Sequence, residues 1–123
     1  MASESLTTSP DLIGSSFALW RQQRHTALFP YITAGFPSKA DTLALLVTLA
    51  DAGADLIELG VPFSDPVADR PTIQRSSQVA LENGVTLEWV LSVLQEFRRT
   101  RETPVVIFSY LNPILRYGVD AFL

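Results

Sequence analysis

Residues 54–69 read Ala54-Asp-Leu-Ile-Glu-Leu-Gly-Val-Pro-Phe-Ser-Asp-Pro-Val-Ala-Asp69. The first half is an apolar run with one carboxylate in it, typical of a buried strand whose side chains alternate between two faces. Alternation places Glu58 on the same face as Leu56 and Gly60. The second half contains two prolines, which restrict the backbone and indicate a shaped loop. The stretch therefore predicts a buried strand followed by an ordered acidic loop.

Helices and strands alternate on both sides of this stretch. The spacing of apolar residues predicts helices over about 10–24, 38–51, 72–82 and 86–97, with a further helix beginning at Tyr117. Strands are predicted over 27–34, 54–60 and 104–110. This order indicates parallel strands joined by right-handed crossovers, and such apolar strands are typical of a sheet covered on both faces. An open doubly wound sheet and a closed barrel both fit, but no glycine-rich phosphate motif follows the first strand, which disfavours dinucleotide binding.

The length of the chain bounds the barrel hypothesis. A complete (β/α)8 barrel typically needs ~250 residues, whereas this chain has 123. We therefore expect the N-terminal part of a (β/α)8 TIM barrel, roughly three β/α units preceded by a helix. Residues 1–9 are predicted to be a flexible N-terminus, and residues 10–123 a partial barrel domain that is truncated inside its last helix.

Composition excludes several kinds of site. The chain has no cysteine and one histidine, so disulfides, thiolate chemistry and a histidine-rich metal site are not expected. The net charge of −4 argues against a nucleic-acid partner. His25 is interpreted as a solvated linker residue. No apolar run is long enough to span a membrane, and the polar N-terminus does not resemble a signal peptide, so a cytoplasmic location is expected.

Two carboxylates are candidates for chemistry. Glu58 lies near the C-terminal end of its strand, where barrel enzymes place catalytic groups, and burial there would favour its protonated form. A structural carboxylate satisfied by arginine or backbone amides fits Glu58 equally well. Asp65 and Asp69 lie on the following loop. For both, a turn or helix-cap role is the more ordinary interpretation.

Tyr110 and Asn112 lie at the same predicted face, after the third strand. Tyr110 fits either a pocket wall or an ordinary core aromatic. Asn112, which precedes a proline, is interpreted as a turn residue.

Taken together, these segments resemble the tryptophan synthase alpha subunit family. The resemblance runs from Ala27 to Leu123 without a break, and the long acidic motif is highly specific to that family. Its parts are Phe29-Pro-Tyr-Ile-Thr-Ala-Gly35, Gly53 to Asp69, Pro71-Thr-Ile-Gln74, Gly84-Val-Thr86 and Tyr110-Leu-Asn-Pro-Ile-Leu-Arg-Tyr-Gly118.

The resemblance implies a lyase that cleaves indole-3-glycerol phosphate to indole and glyceraldehyde 3-phosphate. It implies that Glu58 is the general acid/base and that Asp69 accepts a hydrogen bond from the indole N–H. Tyr31, Thr33 and Tyr110 would line the indole pocket. No cofactor is implied in this chain.

The resemblance also implies a partner. Pro62, Asp65 and Asn112 would dock a tryptophan synthase β subunit, which carries pyridoxal phosphate, in an α2β2 heterotetramer. Two alternatives stay open. In the first, the chain is a non-catalytic module that only docks a β subunit. In the second, it is a stand-alone lyase that releases indole without one.

Two departures from the family pattern bear on activity. The family usually has glycine where this chain has Arg70, and glycine permits backbone geometry and close approach that arginine does not. Arg70 also places a cation beside Asp69, which either holds that carboxylate ionised or occupies the space of the ligand. We therefore expect Arg70→Gly to raise activity in a full-length context. The later phosphate-binding loops of the family do not occur before Leu123, so the 123-residue chain alone is expected to be inactive.

Overall fold

A three-stranded parallel sheet forms the centre of the protein, whose computed structural model describes residues 11–123. The strands are β1 (Tyr31–Thr33), β2 (Ile57–Gly60) and β3 (Val105–Phe108), and their order in the sheet is β1-β2-β3. Each strand is shorter than its apolar run predicts. The parallel pairing confirms the crossover connections expected from the alternation of helices and strands.

Helices precede, connect and follow the strands. Two of them, α3 (Pro71–Glu82) and α4 (Leu87–Arg98), lie between β2 and β3, as predicted. Within residues 11–123, no helix has the length and apolar character that a membrane crossing requires. The helices are α1 (Leu12–Gln23), α2 (Lys39–Asp51), α3 (Pro71–Glu82), α4 (Leu87–Arg98), α5 (Leu111–Tyr117) and α6 (Val119–Phe122).

Short-range chemistry sets several helix ends. The carboxylate of Asp11 accepts a hydrogen bond from the Gly14 N–H at 2.7 Å and begins α1. The hydroxyl of Thr86 accepts one from Trp89 N–H at 3.2 Å and begins α4, as its position predicts. Gly53 follows α2 with φ of +103°, a left-handed conformation that side chains disfavour.

The helix predicted after Tyr117 is present as α6, but the prediction for the residues before it was wrong. We expected a turn at Asn112 and a helix from Tyr117, but α5 already spans both residues. Pro113 is tolerated because it lies in the first turn of the helix, where its missing N–H would have no partner inside the helix. Gly118, with φ of +107°, then separates α5 from α6.

The core lies on one face of the sheet. Its largest fully buried side chains come from α2, β2 and α4, and they include Leu46, Ile57, Leu59, Val90 and Phe97. Within residues 11–123 the opposite face is covered in part, because Ser76 of α3 lies against Thr33 there, with 2.7 Å between the two hydroxyl oxygens. Phe108, on that face, is 52% exposed.

His25 was interpreted as a solvated linker residue, but its side chain also contacts Asp55. Its Nε2 lies 2.9 Å from Oδ1 of Asp55, and the other carboxylate oxygen of Asp55 accepts a hydrogen bond from the Leu28 N–H at 2.8 Å. Asp55 therefore ties the segment before β1 to the segment before β2. The predicted flexible N-terminus, residues 1–9, lies outside the described residues.

Candidate active site

Glu58 lies on the face of the sheet opposite the apolar core, since its neighbours Ile57 and Leu59 belong to that core. It is in register with Tyr31 of β1 and with Val106 of β3, so the three side chains point to the same side. Glu58 is partly buried. Within residues 11–123 its carboxylate takes part in no ion pair and accepts no hydrogen bond. The arginine or amide partner of a structural carboxylate is therefore not found in this part of the chain.

Tyr31 shares its face of the sheet with Glu58, and its surroundings alter the pKa of its hydroxyl group. Burial raises the pKa of Tyr31, the Thr33 hydroxyl opposes this by a hydrogen bond, and the negative charges of Asp69 and Glu58 raise it further. The charges of both acids therefore act on one phenol, although Glu58 is on β2 and Asp69 is eleven positions along the chain.

The position of Tyr31 depends on Gly60. A Cβ on Gly60 would overlap the hydroxyl and ring of Tyr31. Tyr31 also packs edge-on against Phe108, with ring centroids 5.9 Å apart. Thr33 is buried, and its hydroxyl lies 2.7 Å from the hydroxyl of Ser76 in α3. These contacts fix the aromatic side chain over the sheet surface.

A cleft at the edge of β1 contains only part of the predicted site. It has a volume of about 430 Å³ and is lined by Tyr31, Thr33, Phe36, Ile73 and Arg75, among others. Glu58 and Asp69 do not line it. The structure therefore does not enclose Glu58 and Asp69 in one pocket with Tyr31 and Thr33.

The loop after β2 is shaped by backbone hydrogen bonds, as its prolines predict. The Val67 N–H donates to the carbonyl of Asp65 at 2.9 Å, and the Asp69 N–H donates to the carbonyl of Pro66 at 3.1 Å. Both residues take part in these backbone turns, but within residues 11–123 neither carboxylate accepts a hydrogen bond, and the helix-cap role expected for Asp69 is wrong. The cap position of α3 belongs to Arg70, which makes no side-chain cap bond.

Two side chains outside the loop hold it in place, and sequence reasoning did not predict either contact. The hydroxyl of Tyr110 accepts a hydrogen bond from the Ala68 N–H at 2.9 Å. The amide of Gln74 in α3 donates to the carbonyl of Asp69 at 2.7 Å. Gln74 lies in the motif Pro71 to Gln74, which was the only sequence signal that pointed to it.

Arg70 does not strain the backbone. Its φ of −79° and ψ of 163° are ordinary extended values that any residue adopts. The expectation that glycine is needed here for its backbone freedom is therefore wrong. The Arg70 side chain is exposed, and within residues 11–123 it forms no ion pair.

The residues predicted to dock a partner are divided between two places. Pro62 and Asn112 line a groove of about 510 Å³ between the β2 loop, the α3–α4 junction and α5. Phe63, Val85 and Leu87 give this groove an apolar wall. Asp65 is exposed on the loop outside the groove.

Comparison with known proteins gives one consistent result. Residues 17–123 match the family model described as tryptophan synthase alpha chain. The alpha chain of Burkholderia multivorans is 56% identical over 111 residues, which is 89% of this chain and 41% of the relative. This chain therefore spans about two fifths of the length of such curated relatives.

Solved structures agree with this result. Tryptophan synthase subunit alpha from Legionella pneumophila superimposes with a TM-score of 0.90 at 43% identity, over 93% of this chain and 44% of that one. A tryptophan synthase complex from Pyrococcus furiosus gives 0.73 at 51% identity, over 78% of this chain and 40% of that one. The three strands and their helices thus correspond to the N-terminal part of a TIM barrel, as expected from the sequence.

Proposed function

The chain belongs to the tryptophan synthase alpha chain family, and we propose that it supplies the proton-transfer part of an indole-releasing lyase site. The substrate is indole-3-glycerol phosphate, and the products are indole and glyceraldehyde 3-phosphate. The observation that carries the proposal is the position of Glu58 beside Tyr31 on the face opposite the core, with no ion pair or hydrogen bond to its carboxylate within residues 11–123.

The chemistry assigns the two acids different tasks. Cleavage requires a proton on the ring carbon C3 of the indole, loss of the proton from the neighbouring hydroxyl, and breakage of the C–C bond between them as the aldehyde forms. We assign the donation and acceptance of these protons to Glu58, because its carboxylate lies near the C-terminal end of β2 beside Tyr31 and accepts no hydrogen bond from the described residues. Asp69 accepts a hydrogen bond from the indole N–H and stabilises the positive charge that develops on the ring.

Three further residues complete the proposed substrate contacts. Tyr31 and Thr33 form the wall beside β1, and Gly60 gives the Tyr31 ring its place over the sheet. Tyr110 borders the opposite side, beside the loop that carries Asp69. Its ring lies 5.2 Å from that of Phe63, measured between centroids, so an aromatic surface continues from the loop to the end of β3.

The test uses the full chain joined to the part of the Burkholderia multivorans alpha chain that its match does not cover; we call this protein the completed barrel. We expect it to release indole from indole-3-glycerol phosphate. Asp69→Asn should lower kcat by about 10²-fold, because the charge opposite the ring is lost. Glu96→Gln, an exposed acid on α4, is the matched control and should leave kcat unchanged. A completed barrel that folds but releases no indole would overturn the proposal.

We also propose that the groove of Pro62 and Asn112 docks a tryptophan synthase β subunit, with Asp65 as a charged contact beside it, in an α2β2 complex. The apolar wall of the groove supports this, since interface centres are apolar with polar rims. The β subunit would carry pyridoxal phosphate. A cytoplasmic location belongs to the same proposal, because the chemistry is that of amino-acid biosynthesis.

Titration of the completed barrel with a β subunit tests the docking proposal. We expect Asn112→Asp to weaken binding while Gln95→Ala, an exposed change on α4, does not. Binding without indole release by the completed barrel would favour the non-catalytic docking module. Indole release that is indifferent to the β subunit would favour the stand-alone lyase.

A further inference from the structure

We propose that Gln74 is a positioning residue that fixes the direction of the Asp69 carboxylate. This inference rests on the proposed role of Asp69 and extends it to a side chain that does not touch the substrate. Gln74 lies in the first turns of α3, five residues after Asp69. Its Nε2 donates to the Asp69 carbonyl at 2.7 Å and lies 3.5 Å from the Pro66 carbonyl.

Both backbone groups of Asp69 are held. Its N–H donates to the Pro66 carbonyl at 3.1 Å, and its carbonyl accepts from Gln74. The peptide group between Val67 and Ala68 is held as well, because the Ala68 N–H donates to the Tyr110 hydroxyl at 2.9 Å. Because these bonds restrain φ and ψ at Asp69, they fix the direction of its Cα–Cβ bond, which limits its carboxylate to the few positions that side-chain rotamers allow.

These backbone hydrogen bonds matter for the proposed role of Asp69, because its loop has no regular secondary structure. A carboxylate that must meet one N–H group loses effect when it is displaced, and a 1 Å error in placement costs up to about 10²-fold in rate. The Asp69 side chain itself has no hydrogen bond within residues 11–123 that would hold it. Its backbone bonds are thus the local means of aiming it.

Gln78 provides a matched control within the same helix. It is also an exposed glutamine of α3, one turn further on, and its Nε2 contacts Glu82 at 3.3 Å instead of the loop. Gln74→Ala and Gln78→Ala therefore remove the same atoms from the same helix, but only the first removes a contact with the loop. Gln74→Glu keeps the shape of the side chain and replaces its N–H donor with an acceptor.

In the completed barrel, we expect Gln74→Ala and Gln74→Glu to lower kcat for indole release about tenfold, the equivalent of one lost hydrogen bond. Gln78→Ala should change kcat less than about twofold by the same measure. Equal effects of Gln74→Ala and Gln78→Ala would overturn the inference.

A second measurement, of ligand affinity, separates an effect on the direction of the Asp69 carboxylate from a general loss of stability. Indole has the N–H group that would donate a hydrogen bond to Asp69, whereas benzofuran has the same shape with an oxygen atom in place of that group. Gln74→Ala should reduce the preference for indole over benzofuran and leave the affinity for benzofuran unchanged. In an Asp69→Ala background, Gln74→Ala should have no further effect on this preference.

The outcomes distinguish this inference from the proposed function. If Asp69→Ala removes the preference for indole and Gln74→Ala leaves it intact, the positioning role is wrong and the function stands. If Gln74→Ala weakens both ligands equally, its role is structural and the inference is also overturned. If Asp69→Ala changes neither the preference nor the rate, the role of Asp69 falls, and the positioning role falls with it.

Discussion

Tyr31 occupies the space above Gly60 that any larger residue at position 60 would need. The two residues lie on neighbouring parallel strands, and Gly60 is in register with Thr33, two residues after Tyr31. The ring of Tyr31 thereby reaches across to β2, on the face that also bears Glu58. The absence of a side chain at Gly60 thus allows an aromatic group from β1 to lie over β2.

Gly60→Ala tests this relationship. The added methyl group would overlap the Tyr31 hydroxyl and ring, so we expect a loss of about 1–3 kcal/mol in unfolding free energy, typical of overpacking. Chemical denaturation of the completed barrel measures it. The second change Tyr31→Phe, which removes the atom nearest to the new methyl, should recover part of the loss. No recovery in the double variant would show that Tyr31 is not the obstacle.

The acidic strand and loop were predictable from sequence because their pattern is local. An apolar run with one acid gives a strand, and two prolines give an ordered loop. Asn112 was misassigned to a turn because a proline usually ends a helix, whereas Pro113 lies in the first turn, where it costs nothing. Gln74 was missed because its contact depends on the path of the loop, which spacing does not determine.

Arg70 gives a second prediction. Because its backbone is ordinary, any effect of Arg70 on activity must come from its charge or its bulk. We expect Arg70→Gly to raise kcat/KM of the completed barrel about two- to fivefold, the size of an exposed charge interaction. Arg70→Gln, which also removes the cation, should do the same. A rise with glycine alone would mean that the bulk of the Arg70 side chain matters and its charge does not.

The Asp55 contact predicts a dependence of stability on pH. The Leu28 N–H, and to a lesser degree His25, hold the pKa of Asp55 below its ordinary value. A carboxyl with a lowered folded pKa stabilises the protein fully above its unfolded value of ~3.9, and this contribution is lost as the pH falls through the folded value. We therefore expect unfolding free energy to fall below about pH 4.

Denaturation of the chain between pH 7 and pH 2 measures this effect. Asp55→Asn should make the acid decline shallower, and the part that remains includes Asp51, whose pKa is lowered by its hydrogen bond to Arg101. Asp120→Asn, an exposed change on α6, should leave the decline as it is. Identical pH profiles for Asp55→Asn and the unchanged chain would contradict the prediction.

The central claim is that Glu58 transfers the proton at C3 of the indole ring. Exchange of that hydrogen for deuterium, followed by NMR with indole in D2O, isolates the step because it requires neither the phosphate nor C–C cleavage. The completed barrel should accelerate the exchange, Glu58→Gln should slow it by about 10²- to 10⁴-fold, and Glu96→Gln should leave it unchanged. Equal exchange with and without the Glu58 carboxylate would contradict the account.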